Sequence, residues 1–456
     1  MSLITRRSSG DVSPLVEHLF RTESGRLVAV LARLFGAGHV DLAEDVAQEA
    51  LLAALDYWPR TGVPANPPGW LLQVARRKAL DALRRERSLA ERAPAIAGEL
   101  DALAERRVHT AGSHADDPFA DDQLQMMFLA CHPAISPDSR VALTLRTVGG
   151  LGIGEIARAF LVDERAVAQR LVRAKRALRQ VHAPFAMPAQ GELPGRLDAV
   201  LDVLYLMFNE GHTAHEGEAL LRRDLCHEAL RLAELLLTRR ETAATRVRAL
   251  ASLFCLHASR FDARTDAAAA LVRLPDQDRA RWDRRLIARG LRHLEASAGG
   301  PVESAYHLEA AIAACHAVAP SWDATEWPRI VALYDRLVAL TGSPVAALNR
   351  IVAVREVLGP AEALRQLESL PHREQLARYH LFHGVRGDLL AALGRDADAA
   401  ASLREALRFS RAEPVRRHLA GRLAAVSPPD VDLTAPRPSS TDAGRAGRRA
   451  NRLDQG

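Results

Sequence analysis

The sequence predicts an all-α protein: two small helical units, a segment joining them, and a large helical extension. Two observations carry that reading. Ala and Leu recur at spacings of three and four along most of the chain, and alternating runs rich in Val, Ile and Thr are absent. The 456 residues are 48% apolar and 26% charged, enough chain to bury large cores without disulfides or metals. No charge-free stretch reaches the ~20 apolar residues that a membrane span needs. Arg6 and Arg7 are followed by no apolar run, so no export signal is expected. Cys131, Cys226, Cys255 and Cys315 form no CxxC pair, which argues against a disulfide framework or zinc ribbon and fits a reducing cytoplasm. Net charge is only +5, and 59 of the 61 basic residues are Arg. Partner information must therefore come from where the charges sit.

Residues 11–87 read as the first unit. Within it, Asp41 to Trp58 is predicted helical, with Ala43, Val46, Ala47, Ala50, Ala54 and Tyr57 on a small-residue core face. The opposite face carries Asp41, Glu44, Asp45, Gln48 and Glu49 around Leu52 and Leu55. Acidic side chains around exposed leucines suit docking on a basic protein, and the same pattern fits a helix buried on two sides. Pro59 to Gly69, with four prolines, reads as a stiff loop. The helix that follows, from Trp70, puts Arg77, Lys78, Arg84 and Arg85 on the Trp70 side, with Arg76 close by. An aromatic beside cations suits single-stranded DNA, whose bases stack and whose phosphates attract charge. Trp70 also fits a core position.

Residues 88–120 are interrupted by Pro94, Gly98, Gly112, Ser113 and Pro118 and are strongly acidic, which predicts a flexible linker with at most a short helix. Residues 121–181 form the second unit. There, Ile153 to Phe160 predicts a short helix, Leu161 to Glu164 a tight turn, and Glu164 to Arg179 a longer helix, the size and order of a helix-turn-helix. Val167, Leu171, Ala174 and Leu178 share one narrow stripe. Arg165, Gln169, Arg173 and Arg176 occupy the other side, where phosphates can be neutralised and base edges reached.

Three stretches in this order resemble an extracytoplasmic-function (ECF) sigma factor of RNA polymerase, across about the first 180 residues. They are Asp41 to Leu51, Pro68 to Asp81, and Ile153 to Ala157 with Val167 to Leu178. The resemblance implies binding to RNA polymerase core, with Asp41, Glu44, Asp45, Gln48, Glu49 and Leu52 docking on the clamp helices of the largest subunit. It also implies binding to promoter DNA. Trp70, Arg76, Arg77, Lys78, Arg84 and Arg85 would capture the −10 element, and Arg165, Gln169, Arg170, Arg173 and Arg176 would contact the −35 element. The acidic linker would thread towards the polymerase active centre. Arg77 stands where many relatives carry a polar amide. The competing reading is a stand-alone helix-turn-helix regulator with a sensor domain.

Residues 195–426 form the extension, and 427–456 read as a disordered tail. Leu204 to His212 (LYLMFNEGH) is similar to the signature of the ECF subgroup with a tetratricopeptide-like (TPR) extension. Gly359 and Gly394 lie 35 residues apart, close to the TPR period of about 34. The extension is open to three roles: binding a protein, binding a small ligand, or bracing the sigma regions. His212 and His215 match neither HExxH nor HxxEH, so no metal is expected. No nucleophile elbow, P-loop or GxGxxG fingerprint is present, so neither catalysis nor a cofactor is expected.

Overall fold

The computed structural model describes residues 13–85, 91, 93–109, 120–160, 162–212, 222–266, 271–300, 303–371, 373–410 and 412–427. Among these residues the secondary structure is helical throughout, apart from one isolated bridge between Thr265 and Leu271. No described helix is long and apolar enough to cross a membrane.

Helices α1 (Ser13–Phe35), α2 (Val40–Thr61) and α3 (Pro67–Arg85) form the first bundle. The predicted loop from Pro59 is shorter than expected. α2 runs on through Pro59, which sits in its last turn, and only five residues separate Thr61 from Pro67. Asn66 Oδ1 then accepts from the Gly69 amide at 3.0 Å and so caps the start of α3.

The linker expectation needs correction. α4 (Ala93–His109) spans 17 residues and packs along α3. Ile96, Leu100 and Leu103 are buried at helical spacing, and burying each such side chain stabilises the contact by about 1.5–3 kcal/mol. Two of the acidic residues counted against order are matched by cations: Glu99 pairs with Arg33 at 2.5 Å and Asp101 with Arg76 at 2.6 Å.

The second unit contains α5 (Ala120–Ala130), α6 (Pro137–Thr147), α7 (Ile153–Phe160) and α8 (Glu164–Gln180). The helix-turn-helix forms as predicted. Asp163 caps α8 by accepting from the Arg165 amide at 2.6 Å, and Val167, Leu171, Ala174 and Leu178 are the buried stripe.

The extension is α9 (Leu193–His212), α10 (Arg223–Leu237), α11 (Thr245–Ala258), α12 (Arg284–Ser297), α13 (Ala305–Val318), α14 (Trp327–Thr341), α15 (Pro344–Glu368), α16 (His380–Ala392), α17 (Asp396–Phe409) and α18 (Glu413–Val426). From α13 onward each helix packs on its chain neighbours, the layout of a solenoid. Gly359 breaks α15 at φ 81°, and Gly394 turns α16 into α17 at φ 71°. The two repeat glycines thus perform the same local task. The expected tail lies outside the described residues, apart from Ser427.

The units are not separate bodies. One hydrophobic core runs from Leu27 through both sigma-like units to Phe261 and Ala310. α9 lies against α5, α6 and α7, and the Arg196 guanidinium donates to the Phe128 carbonyl.

Candidate nucleic-acid interface

α8 presents Arg165, Gln169, Arg173 and Arg176 exposed on one side, with Val172 among them. Arg170 does not join them. It pairs with Asp138 of α6 at 3.2 Å and braces the second unit. On α3, Arg77 and Arg84 are exposed, and Arg84 lies 3.7 Å from Asp81. Arg76 is held by Asp101 of α4, and Lys78 by Glu49 of α2 at 3.1 Å. Arg85 ends α3, and its side chain lies outside the described residues. Trp70 is half-buried in the first turn of α3, stacked on Tyr57 at 5.7 Å and edge-on to Trp58 at 5.5 Å. Its indole serves the bundle and keeps one side accessible.

On α2, Asp45, Gln48, Glu49 and Leu52 form an exposed stripe, with Leu52 62% exposed. Asp41 and Glu44 continue that stripe, but Glu44 is only 7% exposed. The end of α8 covers them. Lys175 Nζ donates to Asp41 at 2.6 Å and to Glu44 at 2.7 Å, and Arg179 donates to Asp41 at 2.7 Å. Burial acts to raise the Asp41 pKa, but hydrogen bonds and charge from Lys175 and Arg179 outweigh it and hold the carboxyl below its usual range. Lys175 is raised in turn: Glu44 and Asp41 outweigh the cost of its burial. Glu44 is therefore an internal partner of α8 in this conformation rather than a free docking residue. Sequence periodicity could not reveal this clasp, because it joins positions more than 130 apart. The clue was that Lys175 is one of only two lysines in the chain.

Two further contacts hold the units together. Arg33 of α1 reaches Asp122 of α5 at 2.7 Å. Gly25 of α1 lies so close to the second unit that a Cβ there would stand 2.1 Å from the Val148 carbonyl oxygen.

Comparison with known proteins identifies both units. Residues 19–89 match Sigma-70 region 2, and residues 125–178 match Sigma-70, region 4. The chain is an ECF sigma factor. Its α1–α3 bundle is thus region 2, and α5–α8 are region 4. A sigma factor binds RNA polymerase core and promoter DNA to initiate transcription, and this one carries an extra C-terminal domain. Residues 196–298 of that domain match a family of unknown function (DUF6596). An uncharacterized protein of Rhizobium meliloti (strain 1021) is 40% identical over 378 residues, which cover 82% of this sigma factor and 88% of that relative. No solved structure matches. A stand-alone regulator would need only region 4, so the ordered pair of sigma regions leaves that reading without support of its own.

Among the histidines weighed for metal binding, His307 instead joins a capping box with Ser304 at the start of α13. His215 lies outside the described residues. No group of three candidate ligands capable of holding a metal ion occurs among the described residues.

Proposed function

We propose that the exposed stripe Asp45, Gln48, Glu49 and Leu52 docks on the clamp helices of the largest polymerase subunit. On this reading Arg165, Gln169, Arg173 and Arg176 contact the −35 element. Trp70, Arg77, Lys78 and Arg84 meet the −10 element, and Arg76 joins them once α4 moves away. The protein acts by binding rather than catalysis, in the cytoplasm where polymerase and promoter DNA meet. The structure represents a closed form, in which α8 masks the Asp41 and Glu44 end of the docking stripe. The extension regulates in cis by holding region 4 through α9, and its glycine-turned helix pairs support a TPR-like description. The Lys175–Asp41–Glu44 clasp is the observation that carries this reading.

Reversing one exposed charge tests the docking face. Asp45→Arg places a cation opposite a basic partner, which costs more than ~1.4 kcal/mol, so core affinity should fall by at least about tenfold. Asp45 is exposed, and the fold should survive. Unchanged affinity for core would remove α2 from the interface. For promoter DNA, Arg173→Ala should cost ~1–3 kcal/mol with relaxed specificity if the side chain reads a base, or lower the salt slope by about 1 if it neutralises a phosphate. A salt titration of binding to duplex carrying the −35 element separates the two. If neither quantity changes, Arg173 is not at the DNA.

A further inference from the structure

The extension contains a cavity of about 740 Å³ between α9, α11, α13 and α14, within the size range of small-molecule sites. The LYLMFNEGH segment forms one wall through Tyr205, Asn209 and His212. His257 and Arg260 line another side, and His316 faces them from α13. The charge here is one-sided. Arg260 is half-buried on the cavity wall, its side chain bonds to His257 Nδ1 at 2.8 Å, and among the described residues no carboxylate is paired to it. Arg264 and Arg279, whose charges bear on it, are also cations. Among the described residues, His316 Nδ1 is buried without a hydrogen-bond partner. Burial first, then the Arg260 and Arg279 charges, push the His316 pKa down to about 3, so its ring is neutral at ordinary pH. A guanidinium drawn partly out of water without a counter-ion is costly, and proteins ordinarily pair such a group. The other end of the cavity has the opposite character. Tyr306 donates to Asp202 at 3.0 Å, and Tyr205 hydrogen-bonds Glu309 and Asn209. Burial raises the Glu309 carboxyl to about 7.

We propose that this cavity binds a small polar organic anion, whose phosphate or carboxylate pairs with Arg260 and whose hydroxyl or amine groups meet Tyr205, Asn209 and Glu309. The anion supplies the counter-charge that the described residues omit, and a guanidinium takes either group in a two-pronged arrangement. The site deepens the regulatory reading of the extension, because α9 joins this cavity to region 4. The binding itself does not depend on that reading.

Thermal unfolding of the full chain, titrated separately with inorganic phosphate and with acetate against sodium chloride at matched ionic strength, tests the site. A specific anion should raise the midpoint saturably, by roughly 1–2 °C at ten times its Kd. Arg260→Gln should lose the saturable part, whereas Tyr306→Phe, at the far end of the cavity, should keep it. Should Arg260→Gln not fold, His316→Asn is the second variant, with a weakened response expected. Saturation by phosphate alone or by acetate alone identifies the class of ligand. The proposal is overturned if both anions act no more strongly than chloride, or if the folded Arg260→Gln or His316→Asn protein titrates like the original. Neither polymerase nor DNA is present, so failure here leaves the regulatory reading standing. Failure of regulation likewise leaves the site standing.

Discussion

Gly25→Ala is expected to open the closed form without altering a charge. The added methyl would stand 2.1 Å from the Val148 oxygen and 2.9 Å from its carbonyl carbon, so backbone has to move. Val148 follows α6 directly, and its amide bonds to Thr144, so the strain falls on the contact between regions 2 and 4. Overpacking of this kind costs about 1–3 kcal/mol, enough to shift an open–closed equilibrium by roughly fivefold to more than a hundredfold. The chain's chemistry offers a direct measurement. Its two lysines, Lys78 and Lys175, both sit on carboxylates. A zero-length carbodiimide cross-link should join Lys175 to Asp41 or Glu44 only when the units are closed. The Lys78–Glu49 link lies within region 2 and serves as the internal control. Gly25→Ala should lower the first yield and leave the second, while core affinity rises. Equal yields of the Lys175 link in both proteins would show that the contact tolerates the methyl and does not control opening.

Phe208→Ala should have the largest effect on stability. Phe208 is 1% exposed and stacks on Phe254 at 4.2 Å between ring centres, with His212 and Phe261 alongside. Truncation removes the ring and leaves a cavity that rigid helices fill only in part, so the cost should be about 3–5 kcal/mol. Urea unfolding followed by circular dichroism would show the midpoint fall. Because α9 also packs on region 4, the same substitution should loosen that unit, seen as a lower yield of the Lys175 cross-link. A midpoint within error of the original would mean that α9 contributes little to the shared core.

The helix-turn-helix was legible in the sequence because its signals are local: a narrow apolar stripe from Val167 to Leu178 and a capping Asp163 at the turn. The sigma-like pattern on α2 was legible for the same reason, although half-buried Asp41 and buried Glu44 turned out to face α8. Charge on a helix surface says that a partner exists, not whether the partner is another protein or the same chain. α4 was missed because composition outweighed pattern. Pro94 and Gly98 are tolerated in its first turns, and the stripe of Ile96, Leu100 and Leu103 decides the matter through burial against α3. The cavity could not be read from sequence at all. Arg260, His257, His316 and Glu309 come from two helices and the turn after α11, and only packing makes them neighbours. What the sequence did offer was LYLMFNEGH, of which Tyr205, Asn209 and His212 line the cavity while Leu204, Met207 and Phe208 are buried.

The shared core also has a history during synthesis. Regions 2 and 4 are synthesised before any of the extension exists. At about 5–20 residues per second, the stretch from α9 to α13 takes on the order of ten seconds to follow. Through that interval the sides of α5 and α6 that later meet α9 have no cover from the extension. A newborn chain therefore passes through a form in which region 4 is anchored by region 2 alone. Polymerase present at that moment meets a less restrained partner than it meets later.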